Sequence, residues 1–222
     1  MKIGIVTVTH QSNKYRPNGL ELVTNFIKSL QHITYEYECV VIDNSSTIPL
    51  NLDNVHVIRV DDQTIFGLTG AWELGLQKAL DLGCDIILIN NDDLEYNESV
   101  NKLISYILND QFNNKCIYGP VSNGILSGIQ MQNTVTNTIY DLTNNTSNML
   151  NGFMFGFTKD FYFNFRKDNG DLFDKENYPW GGNEEEFQLR IWKQGVKSIV
   201  VGHCWIGHKK IRGWRQLNNI RK

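Results

Sequence analysis

The chain has 222 residues, 24 acidic and 21 basic side chains, and a net charge of -3. That length supports one α/β domain with a sizeable core, and the charge excludes a general attraction to nucleic acid. The four cysteines, Cys39, Cys84, Cys116 and Cys204, form no CxxC pair; three sit in or beside apolar runs and read as reduced core residues of a cytoplasmic protein.

Met1-Lys2 runs straight into Ile3-Gly4-Ile5-Val6, with no leader and no apolar run long enough to span a membrane. Lys2 to Thr9 reads as the first strand. A dinucleotide site would want a GxGxxG turn after it, but no glycine follows until Gly19. Leu20, Val23, Ile27 and Leu30 predict an amphipathic helix. Cys39-Val40-Val41-Ile42 is a second strand ending in Asp43-Asn44-Ser45-Ser46, and Val55 to Val60 a third ending in Asp61-Asp62. Leu68 to Leu82 is helical, and Gly67, Gly70 and Gly75 let its start approach something closely. Asp85-Ile86-Ile87-Leu88-Ile89 is a short β-branched apolar run, the pattern of a strand buried on both faces.

That strand stops in Asn90-Asn91-Asp92-Asp93. Open α/β sheets place ligands at the carboxyl ends of their strands. Two adjacent carboxylates flanked by amides form a hard oxygen cluster, suited to Mg²⁺ or Mn²⁺ rather than zinc. The same residues would also serve an ordinary helix cap. Three successive strands end in such acidic clusters, and alternating strands and helices predict a mostly parallel central sheet flanked by helices, with one shared rim.

Val100 to Leu108 is another amphipathic helix, and Cys116 to Val121 a strand. Ser122 to Tyr140 reads as a hairpin or flap, and Gly152 to Phe157 as a strand. Asn183 reads as an N-cap with Glu186 as its capping-box partner, and Glu186 also stands four residues before Arg190. Glu184, nearest Trp180-Gly181-Gly182, is best placed to face a cleft, with Glu185 as its rival. Val196 to Val201 is the last strand, followed by Gly202 to His208. The tail from Lys209 to Lys222 is basic, and could cover a diphosphate or simply be solvated.

In this order and spacing, these segments resemble the GT-A glycosyltransferases of the large inverting family 2. The resemblance spans nearly the whole chain. Its parts are the Thr-rich end of the first strand, Val41-Ile42-Asp43-Asn44-Ser45-Ser46, Phe66-Gly67-Leu68-Thr69-Gly70-Ala71, Asn90-Asn91-Asp92-Asp93, the Gly181 to Arg190 segment, and His208. It implies a single GT-A domain over residues 1–222, with 1–95 binding the nucleotide sugar, 96–208 serving acceptor and catalysis, and 209–222 a basic tail. Asp43 would recognise uracil, with Thr7 and Thr9 beside it. Gly67, Asn90, Asn91 and Lys209 would contact the donor. Asp92 and His208 would hold Mn²⁺ or Mg²⁺, with Asp93 as an alternative frame. Glu184 falls on the catalytic base. The sequence departs from the family in having Asn90 for the first aspartate of DxD and glutamate for aspartate at the base.

The activity implied is inverting transfer from a nucleotide-diphosphate sugar, of UDP type, to a hydroxyl on a glycan or glycoprotein. Short domains of this kind occur in bacteria and large DNA viruses. Two other classes are weighed against it. A sugar nucleotidyltransferase would carry a Gly-rich basic loop after the first strand, where His10 to Pro17 has no glycine. A non-catalytic sugar- or nucleotide-binding domain would bind without turnover.

Overall fold

A computed structural model describes residues 1–14, 16–125 and 128–209, with backbone alone for 63–66. The strands are β1 (Lys2–Thr9), β2 (Glu36–Asn44), β3 (His56–Val60), β4 (Ile86–Asn91), β5 (Leu94–Glu95), β6 (Cys116–Ser122), β7 (Ile139–Asp141), β8 (Met154–Thr158) and β9 (Lys197–His208). The helices are α1 (Gly19–Ser29), α2 (Gln63–Asp81), α3 (Val100–Leu108), α4 (Lys159–Phe165) and α5 (Asn183–Trp192). One sheet runs β3-β2-β1-β4-β8-β6-β9-β5, with β7 against β9.

The block from β3 to β4 is parallel throughout, as the alternation of strands and helices predicts. Successive side chains of β1 point to opposite faces. Ile3 and Ile5 therefore join a core with Phe26 of α1 and Leu103 of α3. Val6 and Val8 join the other, with Trp72 of α2 and Phe187 of α5. Both faces are covered, so each central strand is nearly all apolar until it reaches the rim.

Beyond β4 the sheet is mixed. β8 pairs antiparallel with both β4 and β6, while β6 and β9 are parallel. Two reversals restore the direction, so β1, β2, β4, β6 and β9 all end on one rim, and β8 begins there.

Two expectations are corrected, and one segment with no predicted form proves helical. Between Ser122 and Tyr140 the described residues form no hairpin; one isolated bridge, Ser122 to Met131, and the start of the short β7 take its place. The last strand runs on to His208, because a register shift opposite Pro120 and Val121 passes over Gly202 to Cys204 and lets pairing resume at Trp205. The Phe/Tyr-rich segment after β8 is helix α4, capped by the Thr158 hydroxyl, which accepts from the Phe161 N–H at 3.1 Å. All four cysteines are free and buried. Among the described residues no helix is long and apolar enough to cross a membrane.

Candidate active site

The end of β4 splits its polar residues between core and rim. Asn90 points inward: its amide donates to the Leu88 carbonyl at 2.8 Å and its oxygen accepts from the Tyr96 hydroxyl at 2.5 Å. Its carboxamide is committed inside the fold rather than to the rim. Asn91 is half-buried, and its N–H donates to the Phe153 carbonyl at 2.8 Å.

Asp92 and Asp93 sit in the turn that follows. Asp92 Oδ1 takes a charge-assisted hydrogen bond from Arg16 Nη2 at 2.5 Å. Burial raises the Asp92 carboxyl, and Arg16 and the adjacent Thr9 hydroxyl pull the other way. Burial also works against the Arg16 charge, but Asp92 and Asp93 outweigh it and hold the guanidinium above its ordinary value. Asp93 Oδ1 lies 3.2 Å from His208 Nε2, with both side chains under one-tenth exposed. The β5–β9 pairing makes this contact, since Leu94 is the register partner of His208. Lys209 continues the pairing through its N–H to the Asp93 carbonyl at 3.0 Å. The rest of the basic tail, from Lys210 on, lies outside the described residues.

The second half of the site is the start of α5. Gly182 takes φ 75° there and lets the chain turn into the helix. Asn183 is not the cap expected; it lies inside the helix, buried, and neither carboxamide atom has a hydrogen-bond partner among the described residues. Glu186 therefore makes no capping box, and its expected pair with Arg190 forms at 2.8 Å. Glu185 is exposed and Glu184 half-buried. The Glu184 carboxylate lies against Gly152, where an added Cβ would come within 3.1 Å of Oε1 and 3.4 Å of the Trp72 ring. Burial raises its carboxyl above the usual range, and the charge of Glu185 adds to this. If Glu184 must be ionised for activity, the rate falls on acidification with a midpoint above the ordinary glutamate value; a profile of kcat against pH measures it.

Gln188, one turn along, sets that position. Its side chain accepts from the Leu150 N–H at 2.9 Å and donates to the Leu150 and Glu184 carbonyls at 2.9 and 3.0 Å. Gln188→Ala leaves buried backbone groups unpaired, which is expected to cost about 1–3 kcal/mol. Thermal unfolding should show the loss, and kcat should fall with donor affinity retained.

Phe153 joins the two halves. The His208 ring stacks on it with centroids 5.4 Å apart, while its neighbour Gly152 carries Glu184. Thr7 and Thr9 are fully buried at the end of β1, and the Thr7 hydroxyl has no partner among the described residues. Thr9 is the register partner of Asp43. Asp43 accepts from the Ser46 and Leu50 N–H groups and from Arg59 Nη1, at 3.0, 3.1 and 2.9 Å. A carboxylate has about four acceptor positions, so one remains.

The close approach expected of Gly67 is made within the chain, to Pro179. The Phe66 side chain lies outside the described residues. Of the aromatics around the start of α5 and the end of β9, Tyr178 is exposed and Trp180 half-buried, while Trp205 donates its indole N–H to the Gln132 carbonyl at 2.9 Å.

Sequence reasoning missed Arg16, Gln188 and Glu73. Arg16 stands in a polar loop where nothing local marks its partner. Glu73 is legible only as an acid beside Trp72 and Leu76 on a helix. It accepts from the Phe173 N–H at 2.5 Å, and burial pushes its carboxyl up to about 7.

No protein-family model matches the sequence, and no curated protein matches it. Solved structures do match. One is GalNAc-T7 with UDP, GalNAc and Mn²⁺, at a TM-score of 0.68 and 19% identity over 97% of this chain and 44% of that one. Another is TarS from S. aureus in complex with UDP-GlcNAc, at 0.64 and 16% identity over 97% of this chain and 61% of that one. The fold is GT-A. At these identities the likeness establishes architecture, and the chain spans less than two thirds of either neighbour.

Among the described residues of this GT-A domain, no group of three or more His, Cys, Asp or Glu side chains is placed to hold a metal ion. None is required where a substrate's phosphates complete the shell, since Mg²⁺-type sites commonly use one or two carboxylates. The residues present fit such an ion. Asp92 Oδ2 and His208 Nδ1 are buried without partners among the described residues, and Asp93 lies 3.2 Å from His208.

Proposed function

We propose that the chain is an inverting glycosyltransferase that moves a sugar from a UDP-sugar to a hydroxyl of a glycan or glycoprotein. The observation that carries this reading is Glu184. It is a partly desolvated carboxylate of raised proton affinity, and the buried pairs Arg16–Asp92 and His208–Asp93 lie at the carboxyl ends of the central strands. Support also comes from the fold neighbours, described with UDP, GalNAc and Mn²⁺ and with UDP-GlcNAc.

In this reading Asp43 and Thr9 receive the base end of the donor, and the open acceptor position of Asp43 takes an N–H of the uracil. Gly67, Asn91 and Lys209 border the donor path, and Asn90 positions the strand end from within. Asp92 and His208 would hold Mn²⁺ or Mg²⁺, with Asp93 as the alternative carboxylate, and the ion when bound would offset charge developing on the departing diphosphate. Glu184 accepts the proton of the acceptor hydroxyl as that oxygen attacks the anomeric carbon from the face opposite the diphosphate. One displacement inverts the centre. The raised carboxyl brings the base nearer the working pH, where general bases are most effective.

The test is a panel of nucleotide sugars with Mn²⁺, Mg²⁺ or chelator, read by release of nucleoside diphosphate and by NMR of the new anomeric centre. Metal-dependent UDP release with an inverted product is expected. Pyrophosphate exchange would instead identify a nucleotidyltransferase, and binding of donor with no turnover on any acceptor a binding domain.

A further inference from the structure

We infer that Arg16 is a latch on the cation site: it holds Asp92 in the donor-free protein and must release it before a divalent cation binds there, moving to the donor's phosphate oxygens. The inference rests on the reading of this rim as a nucleotide-diphosphate site and adds a built-in order of binding to it.

The first observation is competition for one carboxylate. Arg16 Nη2 sits 2.5 Å from Asp92 Oδ1, and the two side chains are 5% and 4% exposed. A guanidinium and a divalent cation on the same buried carboxylate repel, with little water between them to screen the charge. The second observation is that the pair is only half satisfied. Arg16 Nε and Nη1 and Asp92 Oδ2 are buried without partners among the described residues. Buried polar groups are ordinarily paired. Arginine presents five donors in a planar fork that fits phosphate bidentately. The unpaired donors of Arg16 therefore suit an anionic ligand, and the unpaired oxygen of Asp92 suits a cation. A metal-bridged diphosphate supplies both.

The third observation is that the Arg16 backbone is anchored independently of its side chain. Its backbone is fixed by reciprocal bonds with Ser12, Ser12 N to Arg16 O at 3.2 Å and Arg16 N to Ser12 O at 2.9 Å, and by the Gly19 N–H to Arg16 O at 3.2 Å. The side chain changes partner from that anchored base. Its charge then stabilises phosphate instead of Asp92, and Asp92 becomes free beside Asp93 and His208.

The consequence is a coupling. Cation binding weakens in the free protein and strengthens when a nucleoside diphosphate draws Arg16 away, and the nucleotide gains by the same factor. Titration of Mn²⁺ into nucleotide-free protein by calorimetry reads the first arm, using wild type, Arg16→Gln, Arg16→Lys and the double variant Arg16→Gln with Asp92→Asn. Arg16→Gln is expected to bind Mn²⁺ about 10-fold tighter than wild type. Arg16→Lys, which keeps the charge, should stay near wild type, and the double variant should lose the gain. Mn²⁺ should also raise the melting temperature of Arg16→Gln more than that of wild type. The second arm titrates UDP in chelator, where Arg16→Gln should bind about 10-fold more weakly.

Equal or weaker Mn²⁺ binding by Arg16→Gln overturns the latch. If that variant does not fold, the Arg16 Nε–H resonance of the wild-type protein decides. With diamagnetic Mg²⁺ in place of Mn²⁺, it should hold its position with the cation alone and move with UDP and Mg²⁺ together; an unmoved resonance in the presence of bound UDP overturns the latch. If UDP binds none of the proteins under any condition, the nucleotide reading fails, and the Mn²⁺ arm still tests competition at Asp92 on its own.

Discussion

Glu184→Gln should lower sugar transfer by about 10²-fold or more, with donor affinity nearly unchanged. Glutamine keeps the size and hydrogen bonding of the side chain against Gly152 but cannot take a proton. Glu185→Gln should be close to wild type, because Glu185 is exposed. A residue one position along a helix is rotated by about 100°, so the two variants test different directions from the same turn. Stability separates lost chemistry from lost fold. Burial raises the Glu184 carboxyl, so the folded state holds that proton more tightly than the unfolded chain does. Its contribution to stability is therefore present at low pH and is lost as pH rises through the window between the unfolded and folded values. At neutral pH Glu184→Gln should be at least as stable as wild type. An inactive variant with an unchanged or higher melting temperature supports the assignment. Full activity in Glu184→Gln with loss in Glu185→Gln would move the base by one residue.

Gly67→Ala should be among the most destabilising single changes in the chain. Gly67 has φ 61° and ψ -166°, a backbone region essentially reserved for glycine. A Cβ there would stand 2.3 Å from the Pro179 carbonyl oxygen. Strain alone costs roughly 1–3 kcal/mol, and the clash with backbone brings the expected total to at least about 3 kcal/mol, in the exceptional range for one substitution. A domain of this size loses roughly 2–4 °C of melting temperature per kcal/mol, so a fall of about 6–12 °C is expected. Gly83→Ala is the control. Gly83 has φ 78°, but its Cβ would meet nothing within 4 Å among the described residues, so it carries only the left-handed penalty of about 1–2 kcal/mol. Equal melting temperatures would mean that the Pro179 segment yields. Pro179 leads through Trp180 and the two glycines into α5, so Gly67→Ala should also reduce kcat by displacing Glu184.

Much of the first half of the fold was legible because its signals are local. A buried parallel strand must be apolar on both faces, which is why β1, β2 and β4 stand out, and α3 matches its predicted bounds of Val100 to Leu108. The second half was less legible because its pairings are decided far along the chain. Nothing in Met154 to Thr158 announces an antiparallel strand between β4 and β6. Nothing in Gly202 to Cys204 announces a register shift that carries β9 on to His208.

Residue types at strand ends, and their order, determined which polar groups stand at the ends of the elements: Thr9, Asp43, Asp92 and Asp93, the acidic start of α5, and His208. Those features follow from one-dimensional pattern, since the polar end of an apolar strand must surface at the sheet edge. The partners were decided only in three dimensions. Asn90 turned inward because Tyr96, six residues on, met it in the core. Arg16 reached Asp92 from 76 positions away, and His208 reached Asp93 through the β5–β9 pair. Glu184 met Gly152 because Gln188 ties α5 to Leu150. Long-range contacts of this kind depend on sheet order and register, which no local spacing encodes, so the sequence marked the polar strand ends while the tertiary structure brought in Arg16 and Gln188 and chose which charge faces which.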